Sequence, residues 1–273
     1  MGFANHFVMR LVLALSALHL GHCQQDRRSF YVAEAEKYYA VALRTVTDLL
    51  LRLDPSNCEP MWLSSVLICF YHFGRGPRPG EFLAFSEHGE AEWLTFLRGV
   101  REVTESQNDT LKAGLLAPVI QSDKPQIDPL NRSKPVPEYR IPLQQVRQLI
   151  IEKIPSHDPN LQTYLREFDS LFEAFTAKFE GLDDITDESS RYSHIVFAWL
   201  YRISADFALR LQQKEPIALV ILAYFVVLMK ELDSVWFISP WIEHVMAGID
   251  SFLSEDYRIW IQWPIEQIRS LRT

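Results

Sequence analysis

The chain has 273 residues, a formal net charge of −8 and a pI near 5.5, with 48% hydrophobic and 23% charged residues. That balance is ordinary for a folded protein and excludes wholesale disorder, and the negative charge is the wrong sign for a surface that grips phosphate backbones. Three scattered cysteines, Cys23, Cys58 and Cys69, make neither a disulfide framework nor a CxxC zinc motif, and they suit a reducing compartment. Only ten glycines occur, few of them placed as hairpin turns, which points to helices. The length suffices for one large core, and the expectation is a single domain over residues 1–273.

Phe3 to Leu20 reads as a buried helix. Arg10 followed by an apolar run superficially resembles a signal peptide, and Asn108-Asp-Thr110 and Asn131-Arg-Ser133 are glycosylation sequons. His19 interrupts the end of that run and no small-x-small cleavage site follows it, so a core helix is the preferred reading and a secreted helical protein an alternative. Ser29 is positioned to cap a second helix, in which Tyr31, Ala35, Tyr38, Ala42, Val46, Leu49 and Leu53 recur every three or four residues, with Pro55 ending it. A third helix, Pro60 to Phe73, is apolar almost all round and stops at the breakers Gly74 to Gly80. These three are expected to stack antiparallel.

Glu87 to Glu105 carries Trp93, Leu94, Leu97 and Val100 at helical spacing. From Pro118 to Pro142 there are six prolines in 25 residues, so the segment 118–142 is expected to be an exposed loop. Val146, Leu149 and Ile150 then open a helix, and Leu161, Tyr164, Leu165, Phe168, Leu171, Phe172 and Phe175 form a second. An acidic connector, Glu180 to Glu188, precedes one helix over Tyr192 to Leu211.

The heaviest apolar stretch follows. Thirteen consecutive apolar residues, Ile217 to Met229, leave no polar face for water, so their helix has to be covered on all sides. A bilayer span needs about 20 such residues, and Pro216 and the charged Lys230, Glu231 and Asp233 close this run, so no membrane span is expected. The fold expected is all-α, a multi-helix orthogonal or antiparallel bundle around the central helix 216–229. Five of the seven tryptophans lie in the last 75 residues. Leu222 and Phe225 on that helix, with Trp236, Phe237 and Trp241 beyond it, are the candidate lining of a lipophilic pocket; aromatics at helical spacing also serve simply as core.

Catalytic signatures are missing: no HExxH, GxSxG, Walker A loop or GxGxxG occurs, and no enzyme is expected. His19, His22 and Cys23 stand at i, i+3 and i+4 without a fourth ligand nearby, and helix-end packing explains them better than metal binding.

A family resemblance runs along nearly the whole chain. Leu13 to Leu20, then Tyr31, Ala35 to Tyr39, Ala42 and Leu43, then Trp93-Leu-Thr-Phe-Leu-Arg-Gly-Val-Arg101 resemble the regulatory domain of fungal zinc-cluster transcription factors. Pro216 to Leu228, Trp236-Phe-Ile-Ser-Pro-Trp241 and Trp260-Ile-Gln-Trp-Pro264 resemble the sterol-uptake-control subgroup. Departures are Tyr38 where His is common, Leu200 where Pro often follows the Trp, and Ser239-Pro240 where Gly commonly precedes Trp241.

The resemblance implies a nuclear regulator of RNA polymerase II transcription, held in the cytoplasm when inactive, that controls sterol or secondary-metabolite genes. It implies a sterol-like ligand and a homodimer or co-regulators as partners. The family's two zinc ions and its DNA reading belong to an N-terminal six-cysteine module that this sequence does not contain, so no cofactor and no direct DNA binding are expected here. The alternative within the family is a truncated relative that acts through a partner.

Overall fold

A computed structural model describes residues 2, 4–89, 91–113, 138–180 and 196–270. The protein is all-α. Among the described residues the only extended pairing is an isolated antiparallel bridge between Glu81 and Ser86. The chain groups into two compact units, 1–78 with 92–123 and 79–91 with 124–273.

The first unit is built on three helices, α1 (His6–Cys23), α2 (Arg28–Leu50) and α3 (Cys58–Arg75). A short 3-10 turn, Gln25–Arg27, joins α1 to α2, and a connection of that length makes them an antiparallel hairpin. Both lie against α3. Their core joins Phe7, Val8 and Leu11 of α1 to Ala42 and Val46 of α2 and Met61 and Ile68 of α3. The 18 residues of α1 are long and apolar enough to cross a membrane, but seven of them, including Val8, Leu11, Ala14 and Leu18, are buried in the protein. Ser29 is not the cap the sequence suggested: α2 already starts at Arg28, with Ser29 inside its first turn. Buried Ser64 and Ser65 of α3 return their hydroxyls to the Pro60 and Met61 carbonyls at 2.7 and 3.0 Å, so neither is an unsatisfied donor. α4 (Glu92–Ser106) and α5 (Asn108–Ala113) complete the unit, α4 burying Trp93, Leu94, Leu97, Val100 and Val103 against α3. It begins at Glu92 and not Glu87, because residues 80–87 are folded into a hairpin of their own.

In the second unit α6 (Arg140–Lys153) and α7 (Asn160–Phe179) pair. Most of the expected 118–142 loop, and the acidic connector beyond Glu180, lie outside the described residues. Pro142 does not; it sits in the first turn of α6, where a missing N–H leaves no hydrogen bond broken. The expected helix 192–211 is two: residues 196–202 are helical, and α8 (Ala205–Gln212) starts afresh. Ser204 breaks it. Its side chain accepts the Phe207 N–H at 3.2 Å, while its own N–H is taken by the buried Glu167 carboxylate at 3.1 Å.

The chain then turns through 102° into α9 (Pro216–Lys230), with Lys214 at φ 57 in the left-handed region and Pro216 at the first helical position. All thirteen residues from Ile217 to Met229 are buried, as their composition requires. They are covered by α6, α7, α8, α10 (Ser239–Phe252), α12 (Gln262–Arg269) and the Ile259–Ile261 turn, with the short α11 (Glu255–Arg258) preceding that turn. The second unit is a bundle around this central apolar helix.

Candidate functional site

α9 is locked at its entry by a polar cluster. Glu215, just before the helix, receives the Tyr164 hydroxyl and pairs with Arg210 at 2.8 Å, and the same guanidinium donates to Asn160 Oδ1 at 2.6 Å. Burial first, and then the hydrogen bond to Glu215, push the Tyr164 phenol well above its ordinary range, so it stays a donor.

Of the five candidate pocket residues, Leu222 and Phe225 are fully buried on α9. Phe225 stacks on Trp199, with ring centroids 4.5 Å apart and planes 23° from parallel, and the Trp199 indole N–H donates to the Glu167 carbonyl at 3.2 Å. Elsewhere on the helix Tyr224 stacks on Trp263 at 5.4 Å and donates to the Trp260 carbonyl at 3.3 Å. Trp236 and Phe237 lie in the turn after α9, half-buried, as an edge-to-face pair with centroids 5.5 Å apart. Trp241 is buried in the first turn of α10, edge-on to His244 at 6.4 Å. Pro240 is helical there, so this segment enters α10 through a fixed first turn. The candidates thus fall into three settings: packed core at Leu222 and Phe225, a surface-reaching pair at Trp236 and Phe237, and a buried indole at Trp241.

An open groove of about 540 Å³ lies between α6 and α7 and is lined by Arg147, Gln162, Arg166, Asp169 and Glu173 among others. Its charged walls, joined by an Arg147–Asp169 contact of 3.3 Å, suit polar solutes and not lipophilic ones. At the metal candidate, Cys23 Sγ lies 3.7 Å from His19 Nε2 on the exposed end of α1. Among the described residues no group of three or more His, Cys, Asp or Glu side chains is placed to hold a metal ion.

Two features escape periodicity. The first is in the first unit, where Tyr39 and Tyr71 stack at 3.9 Å, the Tyr39 hydroxyl lies 2.9 Å from His72 Nε2, and Phe96 covers the imidazole at 4.2 Å. His72 Nδ1 faces Glu92 at 3.6 Å, so the neutral ring keeps its proton there and accepts the tyrosine's at Nε2. Burial, reinforced by Arg75 and Arg78, pushes its pKa down to about 3. Between pH 6.5 and about 3 the unfolded chain therefore holds a proton that the folded one refuses. Stability contributed by this site is complete above pH 6.5 and falls by up to about 1.4 kcal/mol for each unit below it. Urea titrations of wild type and His72→Gln from pH 7 to 4 check this: the difference between the two should change along that slope, and a constant difference would show that the ring titrates normally.

The second is an aromatic hairpin laid on α10. Phe82 stacks on Phe85 and on His244, each at 5.0 Å, and His244 Nε2 donates to the Glu81 carbonyl at 2.8 Å. Gly80 and Gly89, both with positive φ, bracket the segment. No protein-family model, curated protein or solved structure significantly matches the chain.

Proposed function

We propose that this chain is the regulatory domain of a fungal zinc-cluster type transcription regulator, acting in the nucleus by binding and not by catalysis. The observation that carries the reading is one of order: an all-apolar helix from Pro216, then Trp236-Phe-Ile-Ser-Pro-Trp241, then Trp260-Ile-Gln-Trp-Pro264, the sequence of segments that resembles the sterol-uptake-control subgroup. The all-α fold is consistent with it, and so is the absence of catalytic motifs. The bound molecule is sterol-like, seated beside α9 with Trp241 at its edge, and the signal passes to a second copy of the chain or to co-regulators. With a charge of −8 the chain does not itself read duplex DNA.

A ligand of this kind stabilises the folded state by mass action, by about 2.7 kcal/mol at a hundredfold excess over its Kd. Thermal melts with a panel of sterols and fatty acids should show that gain in the wild type. Trp241→Phe, which keeps an aromatic ring at a buried position, should melt cooperatively yet lose most of the gain. Absence of a shift with every lipid would defeat the lipophilic reading, and tight sequence-selective DNA binding in a mobility-shift titration would defeat the assignment as a regulatory domain alone.

A further inference from the structure

The hairpin 80–87 is held to the second unit by an unusual seat. The ring of Phe82 lies directly on the Cα of Gly248: a Cβ built there would fall 2.2 Å from Phe82 Cδ1. Phe85 and Phe252 close the sides, with Phe252 edge-on to Phe82 at 6.1 Å and to Phe85 at 5.8 Å. Seated this way, Phe82, Leu83, Ala84 and Phe85 are all buried.

The backbone resists the conformation that this burial demands. Leu83 has φ 64, and the Ala84 N–H reaches the Phe82 carbonyl at 2.7 Å, which is a γ-turn of the rare positive-φ hand on a branched residue. The turn persists because its surroundings hold it: Phe82 N–H to Phe85 O at 2.9 Å, Glu87 N–H to Gly80 O at 2.8 Å, and the longer Gln212 and Lys214 donations to Ala84 O and Glu87 O at 3.4 Å each. Strain of this kind concentrates at clamps and switches. The hairpin begins at Gly80 and is followed by Gly89, both at positive φ, a conformation that glycine takes without strain.

We propose that the 80–87 hairpin is a displaceable plug, and that its release opens on α10 a slot, floored by Gly248 and flanked by His244 and Phe252, that takes one flat apolar ring. Lifting the plug relaxes the Leu83 turn, which offsets part of the cost of exposing two phenylalanines. The glycine floor sets the size of the occupant, since one added methyl fills the space where a ring lies. Plug release is independent of which ligand the C-terminal region takes.

Hydrogen exchange on the full chain tests the opening, and the fluorescent probe 1-anilinonaphthalene-8-sulfonate tests the slot. In the wild type the amides of Phe82, Ala84 and Glu87 should exchange at least tenfold faster than those of α9. Gly248→Ala, a change that helix propensity favours, should raise exchange in the hairpin at least tenfold further and leave α9 unchanged. It should have no added effect on exchange in a Phe82→Ala background. Phe82→Ala alone should bind the probe several-fold more strongly than wild type, and Phe82→Ala with Gly248→Ala should lose that gain because the methyl occupies the floor. Hairpin and α9 exchanging together, or equal probe binding by the single and double variants, would overturn the proposal.

Discussion

Trp199→Ala should lower the unfolding free energy by about 3 to 5 kcal/mol, the range for deleting a large buried aromatic side chain. Trp199 is 2% exposed and, among the described residues, the largest fully buried side chain, stacked on Phe225 of the central helix and edge-on to Phe207 of α8 at 6.2 Å. The alanine leaves a void with no rigid neighbour free to collapse into it, because Phe225 is fixed on a helix covered on all sides. It also removes the indole N–H donation to the Glu167 carbonyl at 3.2 Å. Trp199→Phe, which retains the stack but not the donor, should recover more than half of the loss. Guanidinium denaturation followed by far-ultraviolet circular dichroism measures all three. A loss below about 1 kcal/mol for the alanine would show that the stack is not part of the cooperative core.

Leu222→Asp should be more damaging still. Leu222 has no exposure and lies midway along a helix whose residues from Ile217 to Met229 are all apolar and buried. A carboxylate there either stays charged without a partner or takes a proton at neutral pH, and either course costs several kcal/mol beyond the lost side chain. Leu222→Ala sets the baseline, at about 2 to 5 kcal/mol. The aspartate's folded-state pKa is raised, so its extra cost is present above the unfolded value near 4 and shrinks as pH falls towards it. The gap between the two variants should therefore narrow from pH 7 to pH 4. A constant gap would mean that water or a counter-charge reaches position 222.

How far the fold was legible depended on whether a segment's structure is set by its own apolar spacing. α9 was legible because thirteen apolar residues in a row admit one solution, α3 because its apolar run is closed by the breakers Gly74 to Gly80, and α7 because its buried residues recur at helical steps. The break at Ser204 was not. The helical period runs across it through Trp199, Ile203 and Phe207, and what ends the first helix is a tertiary acceptor, Glu167, lying 37 residues away. The Phe82–Phe85 hairpin was invisible for a similar reason: its phenylalanines are three apart, as on a helix face, and only Gly248, far along the chain, gives them a seat. At the candidate site the apolar character of Leu222 and Phe225 was readable, but the stacking of Phe225 on Trp199 was not, because it depends on how the chain turns, through 102°, into α9 and not on residue type alone. His72 carried no signal, since a lone histidine on an apolar helix looks the same whether it faces a tyrosine or water.

The complete covering of α9 also bears on how the chain is made. A ribosome delivers α9 before α10 and α12 exist, so part of the helix's surface has no cover until about forty more residues, through Arg269, have emerged. During that interval the nascent chain presents one of its most apolar segments to water, as an exposed patch of the kind that associates with itself or with chaperones. The same apolar run that makes α9 the centre of the finished unit is thus a hazard until its cover arrives, and a stop codon between α9 and α12 would leave it permanently without part of that cover.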